Sequence, residues 1–187
     1  MGFFLVGLLV LGVCCLAGQH NVSVLDGQVV FDGELAHVGA ISADGTLMAV
    51  GRPESTDPDF WRFHGRGQVL LFALSPSSGS WLAEQTLEYP RDCPHAQFGA
   101  SVGVSSQWVV VVARAEESLV RPTEDWPSGA VYVYRRTEGG WVLRQRIEGE
   151  SWREALGQIV RLDEDGHVVV RKRNNNVVTF ALHESTE

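Results

Sequence analysis

The sequence predicts an all-β protein, a partial β-propeller of about three four-stranded blades. Three observations lead there. A set of strand-like segments recurs in the same order at a spacing of about sixty residues. Each copy divides into four short apolar runs separated by Gly, Asp, Ser or Pro. No stretch after the N-terminal segment keeps a 3.6-residue apolar period over twelve residues, so little helix is expected.

The second copy is the clearest. Phe98-Gly99-Ala100-Ser101-Val102 opens it, and Trp108-Val109-Val110-Val111-Val112-Ala113 follows. Gly129-Ala130-Val131-Tyr132-Val133-Tyr134 and then Gly140-Trp141-Val142-Leu143 complete it. The first copy has the same order: Val38-Gly39-Ala40, Leu47 to Gly51, Gly67 to Phe72, and Trp81 to Leu87. Gly39 and Gly99 stand 60 residues apart, as do Trp81 and Trp141. A third copy begins at Ala155-Leu156-Gly157 and continues through Val168-Val169-Val170 and Val177 to Ala181. It lacks the fourth strand, which the segment Val22 to Phe31 is expected to supply. The blades are placed at about 32–91, 92–150 and 151–187, the last with that N-terminal strand.

Local patterns assign faces. Val109 to Val112 is apolar on both faces, as a strand between two neighbouring sheets must be. Val131 to Tyr134 alternates Val with Tyr, placing aromatics on one face. Gly99-Ala100-Ser101 is small throughout, which suits a place where backbones crowd. Asp44-Gly45 and Asp165-Gly166 are hairpin signals between the first two strands of copies one and three, where copy two has Ser105-Ser106-Gln107. A long loop follows the second strand, from Arg52 to Arg66 and from Arg114 to Ser128, fifteen residues in each case. In copy three it shrinks to about Arg171 to Asn176.

Met1 to Gly18 is apolar and uncharged, with the length of a secretory signal and short for a bilayer span. A retained anchor and lipidation at Cys14 or Cys15 are weaker readings of the same segment. Residues 1–18 are therefore expected as a signal peptide and 19–187 as the repeat domain, secreted and without a membrane span after cleavage. Cys93 is then the lone remaining cysteine, so no internal disulfide is expected. Asn21-Val22-Ser23 is an N-glycosylation acceptor triplet for a chain on that route.

With 15 Lys and Arg against 23 Asp and Glu the net charge is −8, which argues against nucleic acid as a partner. His37, His64, His95 and His167 occupy unlike positions in the repeat and show no metal-ligand spacing. Cys93 and His95 lie two apart in a Pro-containing turn, without a sign of a held base. Glu116-Glu117 reads as a solvated loop pair. No enzyme and no cofactor are expected.

The segments Phe98 to Val102, the apolar run after them and Gly129 to Tyr134 resemble the FG-GAP repeat of integrin α-chain N-terminal propellers. The resemblance covers most of the chain after residue 18 and is strongest in copy two. It implies a binding module whose long loops and blade connections share the ligand-facing side. That side would hold Phe60, Trp61, Arg62, Phe63 and His64 in the first loop, and Arg121, Glu124, Asp125 and Trp126 in the second. The connection from Arg91 to His95 joins them. The partner implied is a protein or a glycan. Calcium-binding members carry several carboxylates before the hairpin glycine, whereas here Asp163 and Asp165 with Glu164 only approach that pattern. Calcium prefers six to eight oxygen ligands, so metal binding at Asp163 and Asp165 is not expected. Family propellers have about seven blades. Three cannot close a ring, so the alternatives are a fragment, an open stack, a structural or assembly protein that pairs with itself or a partner through exposed blade edges, and a truncated relative without retained function.

Overall fold

The computed structural model describes residues 22–25, 28–31, 34–35, 38–53, 66–93, 96–117, 127–149, 156–157 and 159–182. Met1 to Gly18, Asn21, Phe60 to His64, Arg121, Glu124, Asp125, Trp126 and His95 lie outside the described residues.

The described residues form strands and turns, with no helix among them. Blade 1 contains β4 (Gly39–Ile41), β5 (Leu47–Arg52), β6 (Gln68–Leu74) and β7 (Trp81–Glu88). Blade 2 contains β8 (Phe98–Val104), β9 (Trp108–Ala113), β10 (Ala130–Thr137) and β11 (Gly140–Glu148). Blade 3 contains β12 (Ile159–Leu162), β13 (His167–Arg171) and β14 (Val177–Ala181). Within each blade the strands are antiparallel and paired in chain order, so every blade is a meander. This is a partial β-propeller.

One expectation fails. The N-terminal segment does not complete blade 3. It forms a separate antiparallel sheet of β1 (Val22–Leu25), β2 (Gln28–Phe31) and β3 (Glu34–Leu35), so β3 also lies outside blade 1. The sheet stands at the other end of the row, with β2 close to β4. The physical reason is length: only a short connection separates β3 from β4, too little chain to reach β14 at the far end of the row. Blade 3 keeps three strands.

Three apolar clusters lie on successive sheet faces. Leu47, Ala49, Val69, Leu71 and Leu87 of blade 1 meet Phe98, Val109, Val111, Tyr132, Tyr134 and Trp141 of blade 2. Val110, Val112, Val131 and Val133 on the opposite face of blade 2 meet Val160, Val168 and Val170 of blade 3. Met48, Val50 and Phe72, on the face of blade 1 turned away from blade 2, are buried with Trp81 packed against them. The alternation of Tyr and Val in β10 thus divides two interfaces, as the sequence predicts.

Close approach explains the small residues. A Cβ at Gly51 would stand 2.1 Å from the Gly99 carbonyl oxygen, and Gly99 itself has φ +91°. At the next interface Gly157, the counterpart of Gly99, has φ +97°, and a Cβ there would stand 2.1 Å from Val112 Cγ1. Glycine supplies both the positive φ and the missing volume.

Candidate functional site

The meander order sends the two kinds of connection to opposite ends of the blades. Tight hairpins between first and second strands gather at one end. The described roots of both long loops and of the blade-to-blade connections gather at the other.

The hairpin end is built by one device used three times. The backbone N–H of Leu47 donates to Ser42 Oγ at 3.0 Å, that of Trp108 to Ser105 Oγ at 3.1 Å, and that of His167 to Asp163 Oδ1 at 2.8 Å. The third strand is tied to the same turns: Leu74 N–H donates to the Thr46 carbonyl, Arg136 N–H to Gln107, and Leu182 N–H to Gly166. Asp163 is therefore the turn acceptor of blade 3, where blades 1 and 2 use serine. Its carboxylate also pairs with His167 Nδ1 at 3.0 Å. The backbone hydrogen bond from His167 leads the effects that hold its pKa below the ordinary carboxylate range. Asp163, Asp165 and His167 offer ligand atoms within 4.8 Å of one another, all on exposed residues. Three such groups, one already committed to the turn, fall short of a calcium shell.

In the sequence Glu164 stands out only as part of the acidic run before the hairpin glycine, yet it joins the three hairpins. Its Oε1 accepts from the Ala43 N–H and its Oε2 from the Ser106 N–H, both at 2.9 Å. Below this clasp the inner strands β4, β8 and β12 line a cleft of about 460 Å³. These are terminal strands of their sheets, so part of their backbone faces the cleft rather than a neighbouring strand. Ser101 Oγ crosses from β8 to accept the Val160 N–H at 3.0 Å.

The loop end is organised by Glu116, and here the reading of Glu116-Glu117 as a solvated pair is wrong for its first member. Glu116 is 1% exposed. Its Oε1 accepts from Arg146 Nε at 2.8 Å and also from Arg91 and Arg146 Nη2; its Oε2 accepts from Tyr132 Oη at 2.6 Å. Arg146 Nη1 also donates to Glu148 Oε2 at 2.9 Å. Nothing in its local sequence marks this burial, because the partners come from three other segments. Two arginines and a phenol outweigh the desolvation of one carboxylate. Burial works against the charge on Arg146, but the bonds from Glu116 and Glu148 prevail and raise its pKa. Burial first, then the hydrogen bond to Glu116, pushes Tyr132 up to about 12.

This cluster sits at the root of the second long loop. The Gly129 N–H donates to the Glu116 carbonyl at 3.1 Å, fastening the departing and returning strands together. The Ala115 N–H donates to the Ala96 carbonyl, and Leu156 N–H to Ser128, so both adjoining connections are stitched to the same root. The first long loop returns at Arg66, whose guanidinium pairs with Asp92 and whose carbonyl accepts the Phe98 N–H at 3.0 Å. Arg91 and Asp92 of the expected connection thus join the two loop roots. Cys93 beside them is a buried free thiol.

Comparison with solved structures agrees with this architecture. The chain is similar to the Atg21 β-propeller in a complex of KlAtg21 with the coiled coil of AgAtg16, with a TM-score of 0.53 and 10% identity. It is also similar to a Bacteroides fragilis protein described as a 6-phosphogluconolactonase, with a TM-score of 0.51 and 14% identity. These alignments take in 91% and 89% of this chain but 52% and 44% of those chains, so this chain spans about half their length. No family model and no curated protein matches the sequence. At these identities the likeness concerns the fold alone. Among the described residues no helix is long and apolar enough to cross a membrane.

Proposed function

We propose that this chain is a secreted, FG-GAP-like recognition module that works by binding rather than catalysis. Its ligand, a protein or a glycan, meets the long-loop end. The observation that carries this reading is the way both long loops are rooted. Each leaves and returns through a rim of buried or paired groups, Glu116 with Arg91 and Arg146 for one, Arg66 with Asp92 for the other. Variable loops on a rigid β scaffold are a common basis for recognition. The loops carry Trp61, Arg62, Phe63, His64, Arg121 and Trp126, residue types that supply binding energy when an interface buries them. Among the described residues, Cys93 is buried at the loop end while the His167–Asp163 pair is exposed at the hairpin end, an arrangement in keeping with binding. Secretion rests on the apolar segment 1–18, and glycosylation at Asn21 follows from it.

The test is binding of the protein purified from secreting cells to arrays of matrix proteins and glycans, beside the double variant Trp61→Ala, Trp126→Ala. Loss of a wild-type signal in a variant with an unchanged melting profile is expected. Binding that survives both substitutions overturns the reading.

A further inference from the structure

The cleft beneath the Glu164 clasp is walled by backbone as well as by side chains, because β4, β8 and β12 each end their sheets. In an antiparallel pair the N–H and C=O groups of alternate residues point at the partner strand, and those of the residues between them point away. Hydrogen bonds at the hairpins fix this phase. The Ser42 N–H donates to the Leu47 carbonyl, that of Ser105 to Trp108, and that of Asp163 to His167. Counting back along each strand, Gly39 and Ile41, Val102 and Val104, and Val160 and Leu162 turn both backbone groups away from their own sheets. These residues all line the cleft.

Two contacts show that such outward groups take up partners. The Val160 N–H, which points away from β13, donates to Ser101 Oγ at 3.0 Å. The N–H groups of Ala43 and Ser106, next in phase after Ile41 and Val104, donate to the Glu164 carboxylate at 2.9 Å. Further into the cleft, the outward groups of Ile41, Val102, Val104 and Leu162 face no paired strand among the described residues. The walls add no charge: Val160 and Leu162 pack toward blade 2, so Arg161 between them projects on the other face of blade 3. At the hairpin end, by contrast, the rim is acidic. The three hairpins, 42–47, 105–108 and 163–167, hold Asp44, Asp163, Glu164 and Asp165 and contain no Lys or Arg.

We propose that the cleft binds an extended peptide segment of a partner polypeptide, seated as an added strand along these inner edges with a Lys or Arg at the acidic hairpin rim. An edge that offers donors and acceptors alternately matches another backbone, which offers the same, and main-chain bonds then supply the affinity. The volume of about 460 Å³ admits a short stretch of extended chain. A small anion would use the donors alone and would meet the carboxylates of the rim. This site lies apart from the long loops and does not depend on what they bind.

The experiment measures binding of a fluorescein-labelled, end-capped peptide, Lys-Thr-Val-Thr-Val-Thr-Lys, to the full chain by fluorescence anisotropy. Saturable binding is expected. Two further peptides carry N-methyl groups on the threonine or on the valine amides; each blocks one edge of the strand and keeps the charge, and at least one should not bind. Glutamate in place of both lysines, or Asp165→Lys in the protein, should weaken binding several-fold. Ile41→Pro removes a cleft-facing N–H while leaving the ladder to β5 intact, and should weaken it as well. If that variant fails to fold, the methylated peptides give the same reading. Absence of binding by the lysine peptide, or undiminished binding of both methylated forms, overturns the inference. Equal binding of the glutamate peptide overturns the assignment of a basic residue to the rim.

Discussion

In β9 of blade 2, Val109, Val110, Val111 and Val112 are all fully buried. In β13 of blade 3, Val168 and Val170 are equally buried but Val169 between them is 39% exposed. The two strands carry nearly the same residues at the same place in the repeat. Blade 2 has a sheet on each face, whereas blade 3 has one. A valine run therefore supplies a strand but does not decide how many of its faces are covered. The flanking residues carry that information: the outward rows of blade 3 contain Arg161, His167, Arg171 and Thr179, and blade 2 has Val131 and Val133 on its corresponding face.

The comparison can be broken most severely at the buried carboxylate of blade 2, which blade 3 does not reproduce. Glu116→Gln leaves Arg91 without its counter-charge and Arg146 with Glu148 alone, and should cost about 3 kcal/mol, read from the denaturant midpoint. A cost near zero would mean that the loop root is held by backbone hydrogen bonds alone.

A smaller effect compares like with like. Val111→Ala opens a cavity between blades 1 and 2 and should cost about 2 kcal/mol. Val169→Ala, on the open face, should cost about 0.5 kcal/mol or less in the isolated chain. Equal costs would show that blade 3 is covered in solution, and concentration dependence of the Val169→Ala effect would identify the cover as another copy.

A separate test of the same interface comes from alkali. The chain has three tyrosines, Tyr89, Tyr132 and Tyr134, and all are buried at the interface of blades 1 and 2. Burial raises all three above the ordinary value of 10.0, Tyr132 to about 12. Above pH 10 the unfolded chain loses phenolic protons that the folded chain retains, so stability falls as pH rises through this window. Tyr132 alone accounts for about 1.4 kcal/mol at pH 11. Phenolate absorbance should rise together with unfolding and not before it, and Tyr132→Phe should flatten the loss. A phenolate signal from the folded protein would show the interface to be open to water.

Much of the fold was legible in the chain because the repeat is local. Gly99 and Gly157, Trp81 and Trp141, and the alternating Tyr and Val of β10 each declare a backbone or a face within a few residues. The candidate site was less legible. Ser42, Ser105 and Asp163 are one structural position, but a serine and an aspartate look like different signals until their shared N–H donor is seen. Glu164 and Glu116 look like ordinary surface acids because their partners lie in other blades.

The sequence by itself determined the strands, their turns and the order of the meanders, since these depend on residue size, backbone freedom and two-residue alternation. Tertiary structure alone decided which end of the row the N-terminal segment joins, and that Glu116 is buried. It also decided that the outward face of blade 3 remains exposed in the single chain. The reason is physical: burial and charge pairing are properties of what stands opposite a side chain, and for these residues the opposite group lies in a distant segment.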